Sequence, residues 1–275
     1  MDGSLAKNAD SSGKQTIYSE SSIIRQKFDV VIPAYNEEDR IGPVLTDICS
    51  FISKNNLPWN VIVAIDGNDG TDRIVKEFSE QYPFIKSIKS NVRSGYGGAI
   101  KRGVREATGS YVILAEADGA MNFSTIIENL HYLSDYDIIN FDRHSMKENK
   151  IPLTRRFLSR GYNIFIKILF DIDVKDLQGS YKIFRGEAIK ALFKKTTITG
   201  AFFQAALFYH AKRLNLKVLE VEAPYTHKGG SKFSPGRMII GGIVSGLALR
   251  VRNSPLYKYV PKSLVDLYYR KFRWM

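Results

Sequence analysis

The chain has 275 residues, 44% hydrophobic, 12% aromatic and 25% charged, which excludes wholesale disorder and supplies apolar surface for a sizeable core. Its single cysteine, Cys49, excludes an internal disulfide and fits a reducing compartment. The net charge of +12 is uneven: residues 1–142 carry 14 Lys and Arg against 20 Asp and Glu, whereas residues 143–275 carry 26 against 8, so the second half suits an anionic partner such as phosphate, lipid headgroups or nucleic acid.

Residues 1–27 read as a polar, mobile tail without an apolar core of signal-peptide length. No stretch reaches the roughly 18 uninterrupted apolar residues expected of a membrane span. "FDVVIPAYNEE", residues 28–38, predicts a short strand stopped by Pro33. A helical stripe follows at Ile41, Val44, Leu45, Ile48 and Ile52, with Pro43 near its start, where proline is tolerated. "WNVIVAIDG" predicts a second strand and "FIKSIKS" a weaker third. "GGAIKRGVREATG" reads as a small-residue helix closed by Gly109, and "SYVILAEADG" as a fourth strand. A Thr125-x-x-Glu128 capping box opens a helix over "TIIENLHYL", and "YDIINFD" is a fifth strand.

Strands alternating with helices predict a largely parallel α/β sheet covered on both faces, with ligands beyond the carboxyl ends of its strands. Pro33–Glu37, Asp66–Asp69, Glu116–Asp118 and Asp142–Arg143 would line that edge. Beyond Arg143 the pattern changes. "PLTRRFLSRGYNIFIKILFDI" mixes cations with Phe157, Leu158, Ile164, Phe165, Ile168 and Leu169 at helical spacing. "RMIIGGIVSGLALRVR" is a second apolar segment, and the last twenty residues interleave aromatics with Lys and Arg.

Glu116 and Asp118 stand at i and i+2 of the fourth strand, so their carboxylates would point to one side. Close like charges raise each other's pKa unless something neutralises them, and a divalent cation such as Mg²⁺ or Mn²⁺ suits oxygen ligands. The other reading has Asp118 capping a turn and Glu116 reaching solvent.

"VVIPAYNEE", "RSGYGGAIKRG", "ADGA", "DLQGSYKIFR" and "GGSKFS" occur in this order along the chain. Together they resemble the family 2 glycosyltransferases of GT-A fold, in particular the synthases that move a sugar from a nucleotide onto dolichyl or polyprenyl phosphate. The resemblance runs roughly from Phe28 to Asn253, and "ADGA" is similar to the dolichyl-phosphate glucosyltransferase branch.

The resemblance implies a Rossmann-like, mostly parallel sheet over 28–236, a polar tail over 1–27 and a basic aromatic membrane-surface segment over 237–275. It implies nucleotide contacts from Pro33, Tyr35, Glu37 and Asp66, a metal held by Asp118 with Glu116, and Lys232 on the donor diphosphate. Arg143 with Arg155, Arg156 or Arg160 would hold the acceptor phosphate, since arginine's planar fork suits that group. Asp118, Arg143 and Arg156 would be the catalytic set, and Asp176, Gln178 and Lys182 would touch sugar or acceptor. The implied reaction is an inverting, metal-dependent displacement in which an already anionic lipid phosphate needs positioning more than a base. UDP-glucose is the favoured donor, with GDP-mannose second. The implied location is the cytoplasmic face of a membrane, peripheral or monotopic, through amphipathic segments at 153–170 and 238–252.

Some positions depart from the family pattern. One aspartate, Asp66, precedes Gly67 where a pair is usual, and the following turn is one residue short. Glu116 replaces the first metal-motif aspartate, Tyr96 a frequent lysine, and Gly179-Ser180 a Cys-Gly or Ser-Gly pair. Alternatives are a family 2 enzyme with another acceptor, or a non-catalytic relative that binds nucleotide or membrane. A dinucleotide oxidoreductase is set aside because "GYGGAI" lacks the closing small residue, and no GxxxxGK[ST] loop exists. No nucleic-acid fold signature accompanies the basic half, so no nucleic-acid partner is expected.

Overall fold

The computed structural model describes residues 22–271 apart from 147–148, 150–152, 180, 201 and 227–234. Alternation of apolar strands with amphipathic helices builds its first half: β1 (Phe28–Tyr35), α1 (Ile41–Lys54), β2 (Asn60–Asp66), α2 (Thr71–Gln81), β3 (Ile85–Ser90), α3 (Gly95–Glu106) and β4 (Tyr111–Leu114). Short α4 (Phe123–Glu128) and a 3₁₀ turn (Leu130–Ser134) lead to β5 (Ile138–Asp142) and α5 (Leu153–Phe170). Then come β6 (Lys182–Arg185), α6 (Gly186–Lys195), α7 (Phe203–Arg213), β7 (Val218–Glu222), α8 (Pro235–Arg252), a 3₁₀ turn (Pro255–Tyr259) and α9 (Lys262–Lys271).

The seven strands form one sheet in the order β3-β2-β1-β4-β6-β5-β7. Only β6 runs against its neighbours, β4 and β5. Its start at Tyr181–Lys182 therefore comes to the edge where the parallel strands end. The expected mostly parallel α/β sheet is present, and the antiparallel β6 inside it departs from that expectation.

Pro33 does not stop β1. The strand continues to Tyr35, pairing with β2 through Tyr35↔Asp66, while its pairing with β4 ends at Val31↔Leu114. Pro33 thus lies where β1 has a strand on one side only, a place that tolerates a missing N–H. β4 also stops at Leu114, so Glu116 and Asp118 belong to the loop beyond it. Asn122 caps α4 by accepting from Ser124 N at 2.9 Å, and Thr125 falls inside the first turn rather than opening the helix.

The predicted α1 stripe is buried at Ile41, Leu45, Ile48 and Ile52. Together with Phe28, Trp59 and Phe123 it covers one face of the sheet, while α3, α6 and α7 cover the other. Full burial of each such side chain contributes about 1.5–3 kcal/mol. Ile24 is buried and its carbonyl accepts from the Trp59 indole at 2.9 Å, so packing starts before Phe28.

A third cluster joins α5, α7 and α8. α8 lies on α5 because glycines let the two helices approach: a Cβ at Gly242 would stand 2.6 Å from the Tyr162 ring, and one at Gly246 3.3 Å from Ile166. Buried Tyr162, Ile166 and Phe170 form the packed face of α5, whereas Phe157, Ile164 and Ile168 are exposed. Among the described residues, no helix is long and apolar enough to cross a membrane.

Candidate active site

Two regions sit beyond the carboxyl ends of the strands. The first is a cavity of about 560 Å³ between Tyr35–Asn36, Gly67–Asp69 and Ser90–Arg93, at the ends of β1, β2 and β3. The Arg93 guanidinium lies 4.0 Å from the centre of the Tyr35 ring, a cation–π contact on the cavity wall.

The loops after β1 and β2 clasp each other. Glu38 N donates to Asp69 Oδ2 at 3.1 Å, and Gly70 N donates to Glu38 Oε2 at 2.7 Å. Thr71 Oγ1 accepts from Glu37 N at 2.8 Å and donates to Asp69 at 2.6 Å. Partial burial pushes the Asp69 carboxyl up, but the bonds from Thr71 and Glu38 bring it below its ordinary value. Asn36 adopts φ 56, and Gly67 has φ 111 with the Asn36 amide so close that a Cβ would stand 2.2 Å from its oxygen. The short turn after Asp66 is therefore fitted to its neighbour.

The predicted nucleotide residues fall into two groups. Tyr35 lines the cavity. Pro33 is half-buried in the strand below it, and Glu37 pairs with Arg40 at 2.5 Å at the start of α1. Asp66 is 2% exposed and turned to α3: it accepts from Ser94 N at 2.8 Å and is ion-paired with Arg102. It braces β2 against α3, a role its place in the sequence does not reveal.

The second region surrounds the 116–121 loop. Glu116 and Asp118 are both half-buried. Asp118 Oδ1 accepts from Ala120 N at 2.9 Å, the turn-forming bond of the plain structural reading. Both carboxylates are also felt by the Tyr181 hydroxyl. Burial raises that hydroxyl well above its ordinary pKa, and Glu116 and Asp118 raise it further, while its bond to the Met121 backbone acts the other way. Thr226 N donates to Ala120 O at 2.9 Å, fastening the chain after β7 to the same loop.

Two half-buried carboxylates so close in the chain concentrate negative potential, and oxygen ligands of this kind fit a divalent cation. Among the described residues no group of three or more His, Cys, Asp or Glu gathers as a metal centre. Two carboxylates leave coordination positions for oxygens of a ligand and for water, as in sites where Mg²⁺ or Mn²⁺ bridges protein and phosphates.

Beside this loop, Arg143 and Asp176 form a buried pair. Arg143 Nε and Nη2 donate to the two Asp176 oxygens at 2.7 and 3.0 Å, and Arg143 N adds a third bond at 3.2 Å. Burial alone would raise the Asp176 carboxyl, yet Arg143 holds it far below the usual range; burial would lower the guanidinium, and Asp176 holds it charged. Glu220 secures the same segment by accepting from Lys175 N at 2.6 Å and Asp176 N at 3.1 Å. Asn149 ties Arg143 to the chain just after β7, donating to Arg143 O and Ala223 O and accepting from Tyr225 N.

Asp176, at 0% exposure, therefore does not face sugar or acceptor, and Arg143 is at the site with Nε and Nη2 committed. Lys182 is also at 0% exposure, donating to Gly179 O and lying 5.2 Å from the Phe208 ring centre. Burial pushes its ammonium down to about 7 against the pull of Asp176. Gln178 is half-buried, and its N–H donates to Asp176 Oδ1 at 3.2 Å.

Of the α5 arginines, Arg156 is half-buried, with Nη2 donating to Asn149 O at 3.1 Å and Nε buried without a hydrogen-bond partner among the described residues. Arg160 is exposed. It acts on His144, whose imidazole is lowered first by burial and further by Arg143 and Arg160, against Asp176 and Asp142. The Arg155 side chain and Lys232, with the rest of "GGSKFS", lie outside the described residues.

Residues 29–193 match the model of glycosyl transferase family 2. The chain belongs to that family. This family 2 glycosyltransferase is 30% identical over 223 residues to a dolichyl-phosphate beta-glucosyltransferase of Dictyostelium discoideum, covering 75% of this chain and 68% of the relative. In fold it is similar to mannosyl-3-phosphoglycerate synthase from Rubrobacter xylanophilus, with TM-score 0.66 and 14% identity over 92% of this chain and 82% of that one. It is likewise similar to glucosyl-3-phosphoglycerate synthase from Mycobacterium tuberculosis, solved with Mn²⁺, UDP-glucose and glycerol 3-phosphate, with TM-score 0.61 and 16% identity over 90% and 86% of the two chains. These neighbours show the expected GT-A arrangement.

Proposed function

We propose that this enzyme transfers glucose from UDP-glucose to dolichyl or polyprenyl phosphate, with inversion and with Mg²⁺ or Mn²⁺, at the cytoplasmic face of a membrane. The observation that carries the reading is the placement of two half-buried carboxylates, Glu116 and Asp118, in the loop beyond β4 at the edge where the parallel strands end, with the charged Arg143 close enough to feel Glu116. The glucose and dolichyl phosphate follow the activity for which the Dictyostelium relative is named, and the donor and metal follow the ligands in the mycobacterial structure.

The residues divide the work. Tyr35 and Arg93 hold the nucleoside in the cavity, where asparagine side chains supply donors and acceptors for a base. Glu116 and Asp118 hold the cation, and a bound cation stabilises charge growing on a departing diphosphate. Arg156 and Arg160 grip the acceptor phosphate, an oxyanion that attacks the anomeric carbon without needing a general base. Arg143 and Asp176 keep the β5–α5 loop and the segment before β6 at fixed spacing, so Arg143 positions the site while the α5 arginines meet the ligand. Lys232 approaches the donor diphosphate by resemblance alone.

Membrane attachment is supported by the exposed Phe157, Ile164 and Ile168 on α5 and by the cation-rich second half. α8 packs on α5, so only its outer face, with Ile240 and Leu247 exposed, is free for the interface.

The test is lipid-linked product from purified enzyme, polyprenyl phosphate, Mg²⁺ or Mn²⁺ and a panel of nucleotide-sugars. Asp118→Ala should lower turnover by about 10²-fold or more and weaken Mn²⁺ binding measured by electron paramagnetic resonance. Undiminished turnover in that variant would remove the metal role, and product on a non-lipid acceptor alone would replace the acceptor.

A further inference from the structure

Away from the carboxylates, a groove of about 220 Å³ runs between the last turns of α8 and the helix α9, with Thr197–Ile198 as its floor. Ile198, Leu247, Leu249, Val260, Leu264 and Val265 make its lining almost wholly apolar. An apolar cavity of about 150 Å³ already takes a benzene-sized guest, so this one admits a length of hydrocarbon chain. At one end Arg252 donates to Thr197 Oγ1 at 3.2 Å, and that guanidinium is otherwise open to solvent.

The segment that closes the groove is not held by a core of its own. From Asn253 to Tyr268 no residue is fully buried, and Leu256, Tyr259 and Leu264 are 64%, 72% and 56% exposed. Large apolar side chains left open in this density mark an interaction surface. Its charge says which kind: residues 246–271 carry six Lys and Arg against one Asp. Leucine and tyrosine interleaved with lysine and arginine is the pattern of an element lying in a membrane interface. Pairing with a second copy would set this cationic surface against itself. An anionic bilayer complements both its charge and its apolar groove.

We infer that the groove between α8 and α9 binds one acyl chain of an anionic bilayer phospholipid, with Arg252, the cation that lines the groove, on the headgroup. The site is separate from the acceptor phosphate position on α5, and it rests on the membrane-surface reading given above. α9 thereby docks as a lipid-seated flap rather than by charge alone.

The test places a reporter in the groove with Leu264→Trp, in a Trp274→Phe background, and mixes the enzyme with vesicles whose acyl chains are brominated. Vesicles of phosphatidylcholine with phosphatidylserine should quench the reporter, and phosphatidylcholine alone should not. Adding Val265→Asp, which puts a charge in the groove, or Ala248→Phe, which fills it, should raise the lipid concentration needed about tenfold or more. Sugar transfer to a short-chain, water-soluble polyprenyl phosphate analogue should be unchanged in both variants. That control separates the two readings, because loss of transfer there in the unsubstituted enzyme would refute the proposed reaction and leave the quenching result standing. Vesicle binding without quenching would overturn the inference in favour of a charge-only contact. Quenching relieved by polyprenyl phosphate alone would overturn it in favour of the acceptor, and a sedimenting dimer that abolishes quenching in favour of a second copy. Quenching seen only after deletion of residues 272–275 would make the chain's own end the occupant, and absence of any vesicle binding would remove the membrane reading too.

Discussion

Replacing Asp176 with alanine tests the frame of the active site most directly. Its carboxylate, at 0% exposure, accepts from Arg143 N, Nε and Nη2 and from Gln178 N. The substitution leaves the Arg143 guanidinium buried without its counter-charge, a change that costs about 3–5 kcal/mol. The Tyr225 ring, 5.4 Å from the guanidinium carbon, offsets a small part, so the lower end of about 3 kcal/mol is expected. Urea unfolding measures it: with a slope of about 3 kcal/mol/M or more, the midpoint falls by up to about 1 M. Because Arg143 holds the folded Asp176 pKa below its unfolded value, the stabilisation is full above about pH 4 and declines as pH falls toward the folded value. The difference between wild type and Asp176→Ala should therefore be level from about pH 5 to 8 and narrow below about pH 4. The double variant Arg143→Met/Asp176→Leu, which removes both charges, should recover most of the loss. A penalty under about 1 kcal/mol for the single variant, or a double variant no more stable than the single, would show that water already screens the pair.

Arg93→Ala removes the cation over Tyr35 and should raise the KM for the nucleotide-sugar about 3- to 30-fold with kcat nearly unchanged, as steady-state kinetics would show. Gly67→Ala forces a Cβ against the Asn36 amide at positive φ, and should cost about 1–3 kcal/mol in thermal unfolding while also weakening donor binding. Lys182→Met probes the buried ammonium. The folded pKa of Lys182 is pushed down to about 7 while the unfolded value is near 10.4, so the unfolded chain binds more protons between them. Wild type should gain stability relative to Lys182→Met as pH rises from about 7 to 10, and a pH-independent difference would show that Lys182 is hydrated.

The first half of the fold was legible because each of its elements satisfies one period. Ile41, Leu45, Ile48 and Ile52 recur at helical spacing and are buried on one face, and the β1 and β2 runs are continuous because both sheet faces are covered. β6 and β7 were not legible. β6 is four residues long, and it includes a lysine, Lys182, that no strand pattern places in a core. In β7 Glu220 stands where period-2 reading expects a solvent-facing acid, yet its carboxylate is bound by Lys175 N, Asp176 N and Asn140.

The site shows the same division. The placement of Tyr35, Glu116 and Asp118 at or just beyond strand ends was legible from sequence, because apolar runs that break into turns mark those ends. What the sequence hides is which charged groups are consumed by each other. Asp66 and Arg102 are separated by 36 residues, and Arg143 and Asp176 by 33, and nothing local distinguishes an arginine that meets phosphate from one that meets aspartate. Burial decides it, and burial is a property of the assembled sheet: β6 inserted antiparallel between β4 and β5 carries Tyr181 to the carboxylates and brings the preceding Asp176 under Arg143. The reversal of one short strand thus converts a residue with the appearance of a substrate contact into the support for the loop leading to α5. A prediction of catalytic roles from motif order alone will therefore overcount ligand-facing charges wherever such a strand crosses the active edge.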